Sequence, residues 1–442
     1  MYALYSALLA IGLLASLPYW LFQMLRYGKY RNAFWERLGR VPRRMDLRTG
    51  QRCIWVHAVS VGEVLAVSGL IAQLKERLPD YRVVISTTTD TGQKLARDRF
   101  GEENVFYFPL DFKFAIQPYL RRLGPELMVL AETEFWPNLL RLAHGRHARV
   151  AVVNARISDR SWRGYRRFRR PLARILKNVD LFLAQTSEDA RRLESIGALR
   201  ERVATSGNLK YDIPEPRPTA LVSRLRASFE QSGAGPVIVC GSTMEGEEQL
   251  LLSAFKDVLA VYPPALMVLA PRHPERFGNV TELLERTGVR FCKRSEWNGE
   301  PLAGTCLLLD SMGELSAIYK LADVAFVGGS LVPRGGHNIL EAAQYGVSIM
   351  VGRHTENFRD MVALFQESDA VRVVDEKEFE PALMELLSNP TKRAALGHRA
   401  AETLHSEAGA TQRTFDALAG LLSAPSPAMR RTRAGEATAP RM

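Results

Sequence analysis

Cysteine is scarce in this chain. Four occur in 442 residues, at Cys53, Cys240, Cys292 and Cys306, each far from the next and set in or beside an apolar run. That excludes a disulfide framework and any cysteine-based metal spacing, and it suits a reducing compartment. No Asp-x-Asp sequence occurs anywhere, which argues against a site that holds its ligand through a metal. Neither a metal nor a cofactor is expected. Charge is missing altogether from residues 2–25. As a helix this stretch would extend about 36 Å, enough to cross a bilayer core. No basic segment precedes it and no convincing cleavage site follows, which speaks against a removed signal peptide. Arg26, Lys29 and Arg31 come directly after it. By the positive-inside rule the rest of the chain is then cytoplasmic. Pro18 would kink the helix or mark a shallow, interfacial one, and Tyr19 and Trp20 suit an interface in either case. Residues 1–25 therefore read as a membrane anchor, with a single span favoured over a helix lying flat.

Acidic residues are the next shortage, and it is local. Residues 26–44 hold seven Lys/Arg against one Glu, and residues 156–177 hold nine against one Asp. The tail 425–442 holds four Arg against one Glu, while the whole chain nets only +11. Basicity this concentrated reads as contact surface. In 156–177, Trp162, Tyr165 and Phe168 recur every three residues, a pattern open to nucleic acid, to an anionic membrane, or to a solvated helix with core aromatics. The uncharged segment decides for the membrane surface and against nucleic acid.

From Cys53 onward, strand-length apolar runs alternate with helical stripes. The runs lie at 53–58, 82–86, 127–131, 149–153 and 180–184, then at 237–240, 266–270, 306–309, 324–327 and 347–351. This alternation predicts an α/β fold of two doubly wound, Rossmann-like domains facing a cleft, each a parallel sheet covered on both faces. Residues 213–218 carry three prolines and break the series as a linker. The expected domains are 26–210 for acceptor binding and 237–422 for donor binding. Residues 211–236 join them, and a tail at 423–442 is expected to lack structure.

Ligands of such sheets collect beyond the carboxyl ends of the strands. One loop there is unusually rich. The run 324–327 ends in Gly328-Gly329, and Gly335-Gly336 precede the helical pattern Ile339, Leu340, Ala343. Glycines at a strand-to-helix turn let backbone amides approach an anion, and the helix N-terminus adds positive charge. Asn338 and Glu341, three apart, share one face of the first turn and suit the hydroxyls of a ribose. The plainer reading is a glycine turn with an N-cap. Two glycine pairs with Asn and Glu at this spacing tip the balance to a nucleotide sugar.

The other strand-end loops are SVGE at 60–63, ETEFWPN at 132–138, GNLKYD at 207–212, GSTMEGEE at 241–248 and PRHPER at 271–276. With GGSLVPRGGHNILE at 328–341 they run in order across nearly the whole chain. In these motifs it resembles the Kdo transferases, which place 3-deoxy-D-manno-octulosonic acid (Kdo) on lipid A precursors in lipopolysaccharide biosynthesis. The resemblance implies an inner-membrane glycosyltransferase of the GT-B type that moves Kdo from CMP-Kdo to a lipid IVA-type acceptor with inversion. It implies Glu63 as general base and Glu132 as a stabiliser near the reacting sugar. Lys210 is then a countercharge for phosphate or carboxylate.

Arg272 is the natural bidentate partner for the CMP phosphate. Pro271 and Met312-Gly313-Glu314 would hold the cytosine, with Ser242 nearby. Gly335, Gly336 and Asn338-Ile339-Leu340-Glu341 would hold ribose and phosphate. Alternation along a strand would send Glu132 and Glu134 to opposite faces, leaving one for the substrate. Two rivals stay open: a GT-B enzyme or epimerase using another nucleotide sugar, and a membrane-anchored nucleotide-binding protein without chemistry.

Overall fold

The computed structural model describes residues 1–27, 34–213 and 220–423. Two compact units emerge: Met1–Asp212 with Ala408–Met442, and Ile213–Glu407. Each is built on a seven-stranded parallel sheet. The first unit carries β1 Arg52–His57, β2 Tyr81–Thr87, β3 Val105–Tyr107, β4 Leu127–Ala131, β5 Arg149–Ala155, β6 Leu181–Ala184 and β7 Val203–Thr205. Their order across the sheet is β3-β2-β1-β4-β5-β6-β7. Strands buried on both faces need unbroken apolar runs, and β4 is buried at all five positions. The order reverses between β1 and β4, so the crevice beyond their carboxyl ends is the natural ligand position.

The second unit repeats the plan with β8 Val237–Thr243, β9 Leu266–Pro271, β10 Phe291–Lys293, β11 Cys306–Leu308, β12 Val324–Val327, β13 Ser348–Val351 and β14 Arg372–Val373. The order is β10-β11-β9-β8-β12-β13-β14, with the reversal between β8 and β12. The two doubly wound sheets agree with the expected fold class.

Two expected boundaries are corrected. The second domain does not run to residue 422: the helix Ala410–Ser423 belongs to the first unit. Its Ala410, Phe415 and Leu418 join the core around β1, β4 and β5. Asp212, the last residue of the GNLKYD motif, caps it by accepting from the Gly409 amide at 2.6 Å and from the Thr411 amide. Arg413 adds a bond to the Ser206 carbonyl at 2.8 Å. Nor is 211–236 all linker, because Ala220–Ser232 is a helix burying Leu221, Leu225 and Phe229. Most of the proline-rich segment, residues 214–219, lies outside the described residues, as do 28–33 of the basic stretch and 424–442 of the tail.

The apolar segment is one helix, Tyr2–Tyr27, with Pro18 inside it. It is the one helix among the described residues long and apolar enough to cross a membrane. The basic residues of 156–177 are all exposed. The aromatics among them divide. Trp162 and Tyr165 pack on the core, with Trp162 Nε1 donating to Ser195 Oγ at 2.9 Å, whereas Phe168 is 64% exposed.

Candidate active site

Both reversal points carry the loops singled out above. In the first unit, β1 runs into Ser60, the N-cap of the helix Val61–Arg77, so Glu63 falls in that helix's first turn. Apolar neighbours pull this turn inward, and Glu63 is only 7% exposed. Its Oε2 accepts from the Val59 amide at 2.7 Å and its Oε1 from Ser60 Oγ at 3.0 Å. Burial, the largest cause, pushes the Glu63 carboxyl up to about 7. The Val59 and Ser60 bonds oppose this, and the charges of Glu132 and Glu134 add to it. A helix N-terminus alone would have depressed it. Dehydration wins here.

Glu132 follows β4 immediately, and its φ of 55° places a non-glycine residue in the left-handed region. The strand ends at Ala131, so alternation stops applying. Glu132 and Glu134 both come close enough to act on Glu63, and burial raises Glu134 as well. The division onto opposite faces holds only where the strand continues, and here it ends before the pair. Lys210 reaches Glu132 Oε1 at 3.2 Å. Its loop is held by Asn154, a fully buried residue whose Oδ1 accepts from the Leu209 amide at 3.0 Å. Sequence reasoning missed Asn154, since an asparagine inside a strand carries no local signal. Its φ of 54° at the end of β5 is the structural reason for it.

In the second unit, β8 ends at a bulge where Ser242 has φ 55° and the pairing with β9 shifts register. Beside it lies the glycine loop, and here the structure corrects the sequence reading. The amides of Gly329, Ser330 and Leu331 donate to the buried Glu247 carboxylate at 2.7–3.0 Å, as does the Met244 amide at 2.9 Å. Gly328 donates to Gly241 O and Gly336 to Gly329 O. These amides are used within the protein, so Glu247, a residue not singled out from sequence, fills the place of an anion under the loop. A methyl on Gly328 would meet the Ser242 carbonyl at 2.6 Å, which is why glycine stands there. The amides of His337, Asn338 and Ile339 have no acceptor among the described residues. They form the part of this turn open to an anion.

Around that turn, several expected residues converge. Arg272 follows β9, is exposed, and has no side-chain hydrogen bond or ion pair among the described residues, although its amide is held by Thr243 O at 3.0 Å. Its charge pulls the Glu341 carboxyl down, but burial dominates and raises it. Burial also lowers His337, with Arg272 adding to it, while His337 Nδ1 donates to the Gly328 carbonyl at 2.8 Å. Asn338 Oδ1 accepts from the Leu340 amide at 3.1 Å, so the side chain caps the short helix Leu340–Ala343. Ile339 and Leu340 are buried beneath it, contributing backbone alone. Gly335 and Gly336 have φ of 87° and 74°, a left-handed pair that turns the chain into the helix. Pro271 ends β9 and is buried, while Met312 and Gly313 are exposed. Glu314 is engaged by Arg294 at 3.1 Å and by the Ser311 hydroxyl. Among the described residues, no group of three or more His, Cys, Asp or Glu is placed to hold a metal.

A doubly wound unit with a buried, near-neutral carboxyl and a second with an amide turn beside a free arginine define the GT-B class of nucleotide-sugar enzymes. The fold agrees. The chain superposes with TM-score 0.52 on the UDP-GlcNAc 2-epimerase of Neisseria meningitidis at 13% identity, covering 84% of this chain and all of that one. The family described as 3-deoxy-D-manno-octulosonic-acid transferase (kdotransferase) matches residues 32–213. A relative in Haemophilus influenzae bearing that transferase name is 35% identical over 83% of this chain and 86% of its own length. Another in Bordetella pertussis is 36% identical over the same shares. The chain belongs to the Kdo transferase family, and it is a glycosyltransferase.

Proposed function

We propose that this enzyme transfers Kdo from CMP-Kdo to a hydroxyl of a lipid A precursor, with inversion, at the cytoplasmic face of the membrane. The observation that carries the proposal is Glu63, a carboxyl buried beside two other acids and titrating near 7. A general base works best when its pKa lies near the operating pH. The Glu63 carboxylate takes the proton of the acceptor hydroxyl, whose oxygen bonds to the anomeric carbon of Kdo. The bond from that carbon to the phosphate oxygen breaks, and its electron pair leaves with CMP. Direct displacement inverts the anomeric carbon.

The departing phosphate needs stabilisation in place before reaction. Arg272 and the amides of residues 337–339 supply it in the second unit, and Glu341 accepts from the ribose. Lys210, held by Glu132, offers its ammonium to the sugar carboxylate, which replaces Glu132 as the nearest anion. The exposed arginines of 156–177 and the helix Tyr2–Tyr27 suit an acceptor that is itself a membrane lipid carrying phosphates.

Purified full-length protein, CMP-Kdo and a tetra-acylated, bis-phosphorylated lipid A precursor test this in one reaction. Mass analysis should show addition of Kdo, and the anomeric configuration of the product should be opposite to the donor's. Transfer with retained configuration overturns the displacement, and no gain in mass overturns the acceptor.

A further inference from the structure

The apolar N-terminal helix does not hang free of the first unit. Its first turns are held in a socket of polar groups. Tyr5 sits beside Asp111, a residue only 2% exposed. Asp111 takes the amides of Asn138 and Leu139 at 3.0 and 2.8 Å, capping the helix Pro137–His144. The Asn138 side chain donates to Ser6 Oγ at 3.0 Å, and the Asn178 side chain to the Tyr2 hydroxyl at 3.1 Å. The Arg141 guanidinium lies 4.7 Å from the centre of the Tyr2 ring.

The chain that follows the segment is tied to the same place. Beyond the helix, at residues Phe34–Arg37, the Leu110 amide donates to the Arg37 carbonyl at 2.8 Å and the Tyr107 amide to Glu36 Oε2 at 3.0 Å. Ser6 thus bonds to Asn138, whose side chain also donates to the Asp111 carbonyl, and Arg37 bonds to Leu110, the residue before Asp111. A helix that crossed a bilayer would part its ends by about 30 Å of hydrocarbon. It would carry Tyr2, Tyr5 and Ser6 to the opposite side from Asp111, Asn138 and Asn178. The bonds of Ser6 and Tyr2 to Asn138 and Asn178 would be lost.

The exposure of the helix follows the same logic. Leu4, Leu8, Ile11, Leu14 and Leu17 recur every three or four residues and leave 45–68% of their surface open. Tyr2, Tyr5, Ser6, Leu9, Leu13 and Ser16 are less exposed and recur on the other face. Polar groups within the helix are satisfied internally: Ser16 donates to Gly12 O at 2.8 Å and accepts from Trp20 Nε1 at 3.0 Å. Next to the socket, the helix Arg169–Leu176 presents exposed Arg169, Arg170 and Arg174, with Lys177 following it. An apolar stripe beside a row of free cations matches a leaflet of anionic phospholipid: hydrocarbon for one, headgroups for the other.

We infer that the helix Tyr2–Tyr27 is a monotopic, in-plane element, with its first turn clamped to the first unit by Asp111, Asn138 and Asn178 and its leucine stripe sunk into the adjoining anionic leaflet. The start and end of the segment lie on the same side of the membrane as that unit. This reading departs from the preference for a single span. It rests on the membrane attachment proposed above and is independent of the transfer chemistry.

The test uses the full chain in inner-membrane vesicles, in a Cys292→Ser background because the other three cysteines are buried. Two pairs, Ser6→Cys with Asn138→Cys and Tyr2→Cys with Asn178→Cys, are treated with a short bismaleimide and read by intact mass. A separate Ala3→Cys chain is labelled with an impermeant maleimide, in spheroplasts and in inverted vesicles. Attachment is measured separately, by flotation of the full chain with phosphatidylglycerol/phosphatidylethanolamine vesicles. The expected result is cross-linking in at least one pair and no Ala3→Cys labelling from outside spheroplasts. A protein that floats, binds CMP, fails to cross-link in both pairs and is labelled from outside overturns the in-plane helix. A protein that cross-links but does not float shows the clamp intact and overturns the leaflet as its partner.

Discussion

Replacing Glu63 by Gln should raise stability and abolish transfer together, and the two effects should differ in their dependence on pH. The carboxyl is lifted from its ordinary 4.5 to about 7, burial being the main cause. A folded-state pKa above the unfolded one means that the native chain holds the proton more tightly. Stability is therefore lost as pH rises from about 4.5 to 7, and the full cost stands above 7. At 1.36 kcal/mol per unit, that cost is about 3 kcal/mol. Glutamine keeps the shape and both bonds, its carbonyl accepting from the Val59 amide and its NH2 meeting Ser60 Oγ, but it has no charge to bury. Near pH 4.5 the variant and the wild type should unfold alike. At pH 8 the variant should be more stable by up to about 3 kcal/mol.

Five of the six tryptophans lie in Met1–Asp212, so tryptophan fluorescence during urea unfolding in non-ionic detergent follows the unit that holds Glu63. Turnover should fall roughly 10²–10⁴-fold with CMP affinity intact, the usual contribution of a general base. In the wild type, kcat/KM should climb with pH to a plateau with a midpoint near 7. A stability gap equal at both pH values would refute the buried-charge reasoning. Activity above a tenth of wild type would move the base to Glu132.

Arg272→Ala should weaken CMP binding roughly 10- to 150-fold, from the loss of a charge-assisted contact of about 1.5–3 kcal/mol, and Lys should restore only part of it; calorimetry with unchanged affinity removes Arg272 from the site. Glu247→Ala strands four buried amides, each costing about 1–3 kcal/mol, so the glycine loop should reorganise. CMP binding should vanish while the tryptophan transition of the first unit stays put, and retained binding shows that the loop holds without its carboxylate. Asp212→Ala removes the cap of the last helix, worth about 1 kcal/mol. Amides of Ala410–Ser423 should exchange severalfold faster, and equal exchange refutes the cap.

What the sequence shows and hides follows physical lines. The central strands announce themselves because burial on both faces demands continuous apolar runs of four or more residues. The four strands that escaped notice, β3, β7, β10 and β14, are the edges of the two sheets and only two or three residues long. Too short for any period, they exist because a neighbour offers them a ladder. The strand-end loops were legible because their residues are chemically costly, and Glu63, Arg272 and Glu341 stand where doubly wound topology puts ligands. The orientation of Glu132 could not be read because a left-handed residue ends the alternation, and backbone sign is invisible in letters. Glu247 was overlooked because an acid in a first helical turn looks like any dipole partner. The return of Ala410–Ser423 to the first unit could not be seen, since a helical stripe states that it packs but not on what.

That returning helix makes the first unit dependent on a segment made after the whole of the second unit. Leu209 and Phe415 share one core, yet about two hundred residues separate them in synthesis. At roughly 5–20 residues per second, a ribosome needs on the order of ten to forty seconds to deliver the second after the first. During that interval the face built by β1, β4 and β5 has the helix Val61–Arg77 but lacks Ala410–Ser423, while the second unit, unbroken from Ile213 to Glu407, has its whole sequence in hand before that helix is made. A nascent chain stalled before residue 410 would present a folded second unit on a first unit with part of its core still open to water. Chaperones and proteases would recognise that face. Closure of the first unit therefore follows synthesis of the second, so that translation itself orders the assembly of the enzyme.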